Sequence, residues 1–165
     1  SPVGTYTIYY LQAARIPACE SCLPDGTLGF YIDDVLIWSG QPSVTTWAQN
    51  THTFTPGKTS IVIKFKNISV YGDRAVFVDN VRLPGTALFT NWDFESDPAS
   101  NGCIGTVSSW AGAGCRMIVN QNDAGWCGLD SGDSNKFLAL KENGAFAEQS
   151  ITGLTVGYTY IVTYK

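Results

Sequence analysis

An all-β, antiparallel sandwich is the fold class that this 165-residue sequence predicts, and three observations carry it. Val, Ile, Thr, Tyr and Phe gather in runs where apolar and polar residues alternate, the period of a half-buried strand. Gly, Pro, Asn and Asp separate those runs at short intervals, as turns require. No stretch of ordinary helical length repeats its apolar residues every three or four positions. With 44% hydrophobic and 15% charged residues the chain has material for a real core and too little charge for disorder.

Taken in order, residues 3–11 alternate Tyr6, Ile8 and Tyr10 with Thr5, Thr7 and Tyr9, a strand with one core face and one threonine-rich face. Gln12 to Arg15 continue it, and Arg15 is expected to pair with an acid at the sandwich rim. The loop from Ile16 to Gly26 carries Cys19 and Cys22. Leu28 to Trp38 reads as a hairpin turning at Asp33-Asp34. Paired acids invite a glycosidase-like reading, but adjacent residues point in different directions and Asp is a turn former, so the turn is preferred. Trp47 to Thr55 and Ser60 to Lys66 read as a second hairpin around Pro56-Gly57, with Ile61, Ile63 and Phe65 inward.

Val76, Phe77, Val78 and Val81 follow one another as a strand buried on both faces does, and Pro84-Gly85 ends it. Asp97 to Gly128, rich in Gly, Ser and Asn, reads as loop stapled by cysteines. Asn135 to Leu140 and Ala145 to Ile151 read as a strand pair reversing at Glu142-Asn143-Gly144. Leu154 to Gly157 then leads into a last strand.

The formal charge of −4 and the absence of a basic stripe exclude a nucleic-acid surface, which needs clustered Lys and Arg. Apolar runs are strand-length, so no membrane-spanning helix is expected. Ser1 stands where an initiator Met would, with no leader-like pattern after it, so a processed or excised piece of a longer protein is expected.

Cys19, Cys22, Cys103, Cys115 and Cys127 sit in loop-like sequence, which favours disulfides and an oxidising, extracellular setting. A zinc reading of Cys19 and Cys22 lacks a second ligand pair at suitable spacing, and a redox motif should open a helix. The odd count leaves one thiol to be free or to bond a neighbouring molecule.

An enzyme is not expected. His52 is the only histidine and reads as an exposed strand residue, and no glycine-rich phosphate loop joins a strand to a helix. Asn67-Ile68-Ser69 is a candidate glycosylation sequon. Sugar binding would need a wet aromatic face. Trp38 and Trp126, each beside Ser or Gly, are preferred over Trp47, Trp92, Trp110 and Tyr71.

GDRAVFVDNVRL resembles the last strand of the galactose-binding-like jelly rolls of extracellular proteins, and NWDFE resembles their opening. NKFLALKENGAFAEQSITGLTVGYTYIVTY resembles their middle. GTYTIYYLQAAR resembles that same long strand and its continuation, while LGFYIDDVLIW and WAQNTHTFTPGKTSIVIKFKNIS resemble the later hairpins. The likeness spans nearly the whole chain, in reversed order: residues 1–86 are similar to the C-terminal half of such a domain and 87–165 to the N-terminal half. One strand therefore occurs twice, with Tyr6, Ile8 and Tyr10 matching Tyr160, Val162 and Tyr164.

The resemblance implies an antiparallel jelly roll whose halves are completed by a neighbouring subunit or repeat. It also implies a structural calcium ion held by Asp79 and Glu95 with Asn80 alongside, oxygen ligands of the type calcium takes. Two functions are expected from it. One is an extracellular structural subunit that forms a fibre or surface assembly of identical copies; the other is a non-catalytic carbohydrate-binding module of a secreted tandem protein, with glycans as partners.

Overall fold

Alternating β-branched and aromatic residues form ten strands among the described residues: β1 (Thr5–Ile8), β2 (Leu11–Ala14), β3 (Leu28–Ile32), β4 (Val35–Gly40), β5 (Ala48–Phe54), β6 (Ser60–Asn67), β7 (Ala75–Asp79), β8 (Ala111–Asn120), β9 (Lys136–Thr152) and β10 (Thr159–Tyr164). The computed structural model describes residues 5–8, 11–14, 26–42, 46–70, 74–83, 89–100, 102–123, 126 and 135–164. The strands join in the order β1-β10-β5-β2-β7-β9-β6-β3-β4, with β8 along the other side of β9. All neighbours are antiparallel except β1 and β10.

The sheet curls into a sandwich. Phe30 of β3 stacks on His52 of β5 with ring centroids 4.9 Å apart, although those two strands share no ladder. Between the facing surfaces lie Leu28, Phe30, Ile61, Ile63 and Phe65 from one side and Val76, Val78, Ile118, Leu138 and Leu140 from the other. A second apolar cluster, Ala13, Phe77, Met117, Val119, Phe137 and Ala139, lines the far face of β2, β7, β8 and the first half of β9, with Trp47 and Trp126 against it. This is why β7 is buried at every position, as its unbroken apolar run predicted.

The Asp33-Asp34 hairpin forms as expected, with φ of 50° and 64°, the positive values a two-residue turn between twisted strands favours. Asp33 accepts from the Val62 N–H, and Lys64 lies between Asp34 and Glu148. In β6, Ile61, Ile63 and Phe65 alternate inward as predicted.

Three expectations are corrected. β5 and β6 do not pair around Pro56-Gly57: β5 joins β10 and β2, while β6 joins β3 and β9, so that turn carries the chain from one sheet to the other. The Glu142-Asn143-Gly144 segment does not reverse the chain but bends one long strand. The first half of β9 pairs with β7 and the second with β6, while β8 follows both halves on the opposite side. Glu142 and Gly144 take φ of 73° and 88°, the local conformation an Asn-Gly turn would also use. Finally, the region from Asp97 to Gly128 is not all loop, since it contains β8 and the buried Trp110.

The halves 1–86 and 87–165 interleave, because β9 of the second lies between β6 and β7 of the first. Within the single chain, strands of one half pair with strands of the other, and the covalent link gives each half a high effective concentration of its partner. The segment after the seam closes one end of the core: Trp110 packs on Phe65, Phe89 and Phe94, and its indole N–H donates to the Asn91 carbonyl. Gln149 clamps the same segment through the Thr90 N–H and the carbonyls of Thr90 and Ser109.

Candidate functional site

The repeated strand pattern of Tyr6, Ile8 and Tyr10 with Tyr160, Val162 and Tyr164 is the feature of this sequence whose placement the structure reveals. In the structure the two copies lie side by side. Thr5, Tyr6, Thr7 and Ile8 of β1 stand opposite Thr159, Tyr160, Ile161 and Val162 of β10, so every partner is 154 positions away, the offset of the sequence repeat itself. β10 holds the inner place, antiparallel to β5, with Tyr160 opposite Phe54 and Tyr164 opposite Asn50.

The next residue of β5, Gln49, pairs with Leu11 of β2, and Ala48 pairs with Gln12. By the same offset Leu11 corresponds to residue 165, so β2 continues the line of β10 along the edge of β5. One strand position is thus filled by the C-terminal copy first and the N-terminal copy after it. β1, the part of the N-terminal copy that β10 excludes, is left on the outer side of β10.

Side-chain chemistry favours the inner place for an aromatic and alternating strand. Tyr160 is buried, stacks on Phe54 at 5.4 Å and accepts a hydrogen bond from the Thr155 N–H at 2.7 Å. His52, expected to be exposed, lies half-buried on the inner face of β5 between Phe30 and Trp38. Burial lowers its pKa to about 4, because the charged imidazolium loses hydration that the rings do not replace. At neutral pH the ring is uncharged and packs at the margin of the core, against Phe30 and Trp38.

At the positions proposed for calcium, Asp79 is fully buried and accepts from the Asn80 N–H. Asn80 is also buried, with φ of 55°. Glu95 accepts through Oε1 from the N–H groups of Asn135 and Lys136, at 2.6 and 2.7 Å. The Lys136 ammonium donates to the carbonyls of Glu95 and Asp97 at 3.1 and 2.8 Å and lies 3.8 Å from Glu95 Oε2. The oxygens around Glu95 therefore already face a cation supplied by the chain, and an ion among them would have to displace Lys136. Among the described residues no three acidic, His or Cys side chains form a metal-holding group.

Trp38, on β4, and Trp126 both spend ring surface on packing, Trp38 against His52 and Trp126 edge-on to Phe77 at 5.9 Å. Asn67 is fully buried. Its amide donates to the carbonyls of Arg74 and Leu140, and its oxygen accepts from both the N–H and hydroxyl of Ser69. The Asn-x-Ser pattern here is a side-chain-capped turn, and a glycan on that nitrogen does not fit the folded chain. Cys103 and Cys115 form a disulfide that ties β8 to the preceding loop. Cys19, Cys22, Cys127, Arg15 and Tyr71 lie outside the described residues.

Sequence reasoning found the repeat but not its placement. It also missed Lys136 and His52, whose roles depend on which strands become neighbours. Compared with family models, curated proteins and solved structures, the chain finds no match.

Proposed function

We propose that this protein is an extracellular structural subunit whose copies assemble into a fibre or surface layer through complementation between their sandwiches. The observation that carries the reading is the surplus strand: two copies of one strand lie side by side beyond the edge of β5, and only β10 pairs with β5 along that stretch. A sandwich that worked alone would have no use for the second. Among the described residues β1 ends the sheet, and an edge strand is a ready template for pairing with another chain. A contact that joins unlike surfaces of identical subunits propagates as a filament unless it closes into a ring.

The Cys103–Cys115 disulfide fits an oxidising exterior. Among the described residues no helix is long and apolar enough to cross a membrane. Catalysis, nucleic-acid binding and a calcium cofactor contribute nothing to the reading.

Electron microscopy and light scattering of the purified chain over a range of concentrations test it. Filaments or growing oligomers are the expected outcome. Compact monomers at every concentration would end the assembly reading, and a glycan array with hits under those same conditions would replace it with the carbohydrate-binding one.

A further inference from the structure

We infer that β10 is an exchangeable strand: in an assembly, the β10 of one copy lies between β5 and β1 of a second copy, in the register it adopts here within one chain. This rests on the assembly reading above and names the element that makes the joint.

The argument begins with what the β5 edge accepts. Its residues from Phe54 to Asn50 take a strand with Tyr160 opposite Phe54 and Val162 opposite His52, and the β1 residues at the same ladder positions are Tyr6 and Ile8. If β10 leaves, β1 needs to move inward by only one strand spacing, about 4.8 Å. It would then run on directly into β2, which is already fastened to Gln49 and Ala48. The register is set in advance, with Tyr6 falling opposite Phe54 and Ile8 opposite His52. The β5 edge therefore has two matched occupants within one chain and is not bared when β10 departs.

The tethers decide which occupant can travel. Only two residues separate β1 from β2, so β1 cannot go far from its own β5. β10 hangs on residues 153–158, a link whose six residues reach about 20 Å when extended. This link is fastened to the segment after β5 by hydrogen bonds from the Leu154 N–H to the Thr59 carbonyl and from the Gly157 N–H to the Pro56 carbonyl, and within itself by one from the Tyr158 N–H to the Thr155 carbonyl. Gly153 and Gly157, with φ of 82° and 80°, tighten it into a turn. Opening the link breaks those bonds and no ladder other than that of β10.

Insertion into a second copy restores the lost ladder, since the β5 and β1 that β10 meets there are identical to its own. Each copy gives one β10 and receives one, and the donor and acceptor surfaces differ, so the joint is head-to-tail. Closed monomer and assembly then contain the same strand contacts, and concentration selects between them.

Cross-linking by register tests this. Thr53 and Ile161 are partners across β5 and β10 on the outer face, away from the core. One batch of full-length chain carries Thr53→Cys and a second carries Ile161→Cys. The two are mixed under assembling conditions and joined by oxidation or a short bis-maleimide, and the linkage is mapped by mass spectrometry so that native cysteines do not confuse it. The expected result is a 53–161 linkage between chains, rising with concentration. A chain carrying both substitutions, oxidised as a dilute monomer, should be locked and lose assembly. The pair Thr51→Cys and Thr163→Cys repeats the experiment at a second position of the ladder.

If filaments form, the locked chain assembles as well as the unlocked one and no interchain 53–161 or 51–163 product appears, the strand exchange is overturned while the assembly reading survives. The joint would then lie elsewhere, for instance at the exposed Val35, Leu36 and Ile37 of β4. An interchain 53–161 product in dimers that never extend would support the exchange and overturn the fibre. Monomers without any interchain product would overturn both.

Discussion

At the scale of single residues, His52 and Asn67 show how neighbours set the meaning of a side chain. His52 has an ordinary pKa of 6.5 when unfolded and about 4 in the fold. Because the folded value is the lower one, protons favour the unfolded chain. The stability His52 contributes is complete above pH 6.5, declines as the pH falls below it and is gone below about 4. His52→Phe keeps a ring against Phe30 and removes the titration. Thermal melting of the two proteins should therefore diverge between pH 6.5 and 4, with the wild type losing more. Equal pH dependence would show that the ring is solvated. Asn67 satisfies two carbonyls and Ser69 at once. Asn67→Ala should cost about 1–3 kcal/mol in denaturant unfolding, because it removes the bonds to Ser69 and to the Leu140 carbonyl while the Arg74 carbonyl keeps the Glu142 N–H.

Within single elements, β9 carries most of the architecture. Its two halves belong to different sheets, and the bend between them sets four residues, Glu142 to Ala145, against the single Gly114 of β8. Gly114 has φ of 75°, and a Cβ there would lie 2.7 Å from the Ala145 Cα. Gly114→Ala is therefore expected to destabilise the protein by about 1–3 kcal/mol through strain and overpacking at the bulge. Gly144→Ala is a useful comparison, as it has the positive φ but open space around it, and it should cost less. Chemical denaturation of both variants checks the order, and a reversed order would mean that the bend relaxes freely at β8. The sequence announced this place correctly as one needing Asn and Gly, yet a hairpin and a bent strand use the same local conformations. Only the ladders from β7 and β6 separate the two.

For the whole molecule, the interleaving of residues 1–86 with 87–165 makes a prediction of its own. Each half exposes a ladder and a core face that the other covers, with β9 pairing to β6 and β7 and Trp110 packing on Phe65. Separate fragments cut at the seam should show no cooperative thermal transition, and mixing them should restore one. Independent folding of either half would mean that the shared core is dispensable. The sequence by itself determined that the chain is all-β, which residues alternate inward in β6, where β3 turns into β4 and that β7 is buried on both faces. Those properties follow from the two-residue strand period and from turn chemistry, both local. It determined too that one strand is present twice. Only the tertiary structure decided that both copies meet on one edge in the register of the repeat, that Lys136 faces the oxygens around Glu95, that His52 is half-buried against Phe30 and that Asn67 is fully buried. The physical reason is that these depend on partners far away along the chain, and a ladder between distant strands is chosen by the fit of the whole core.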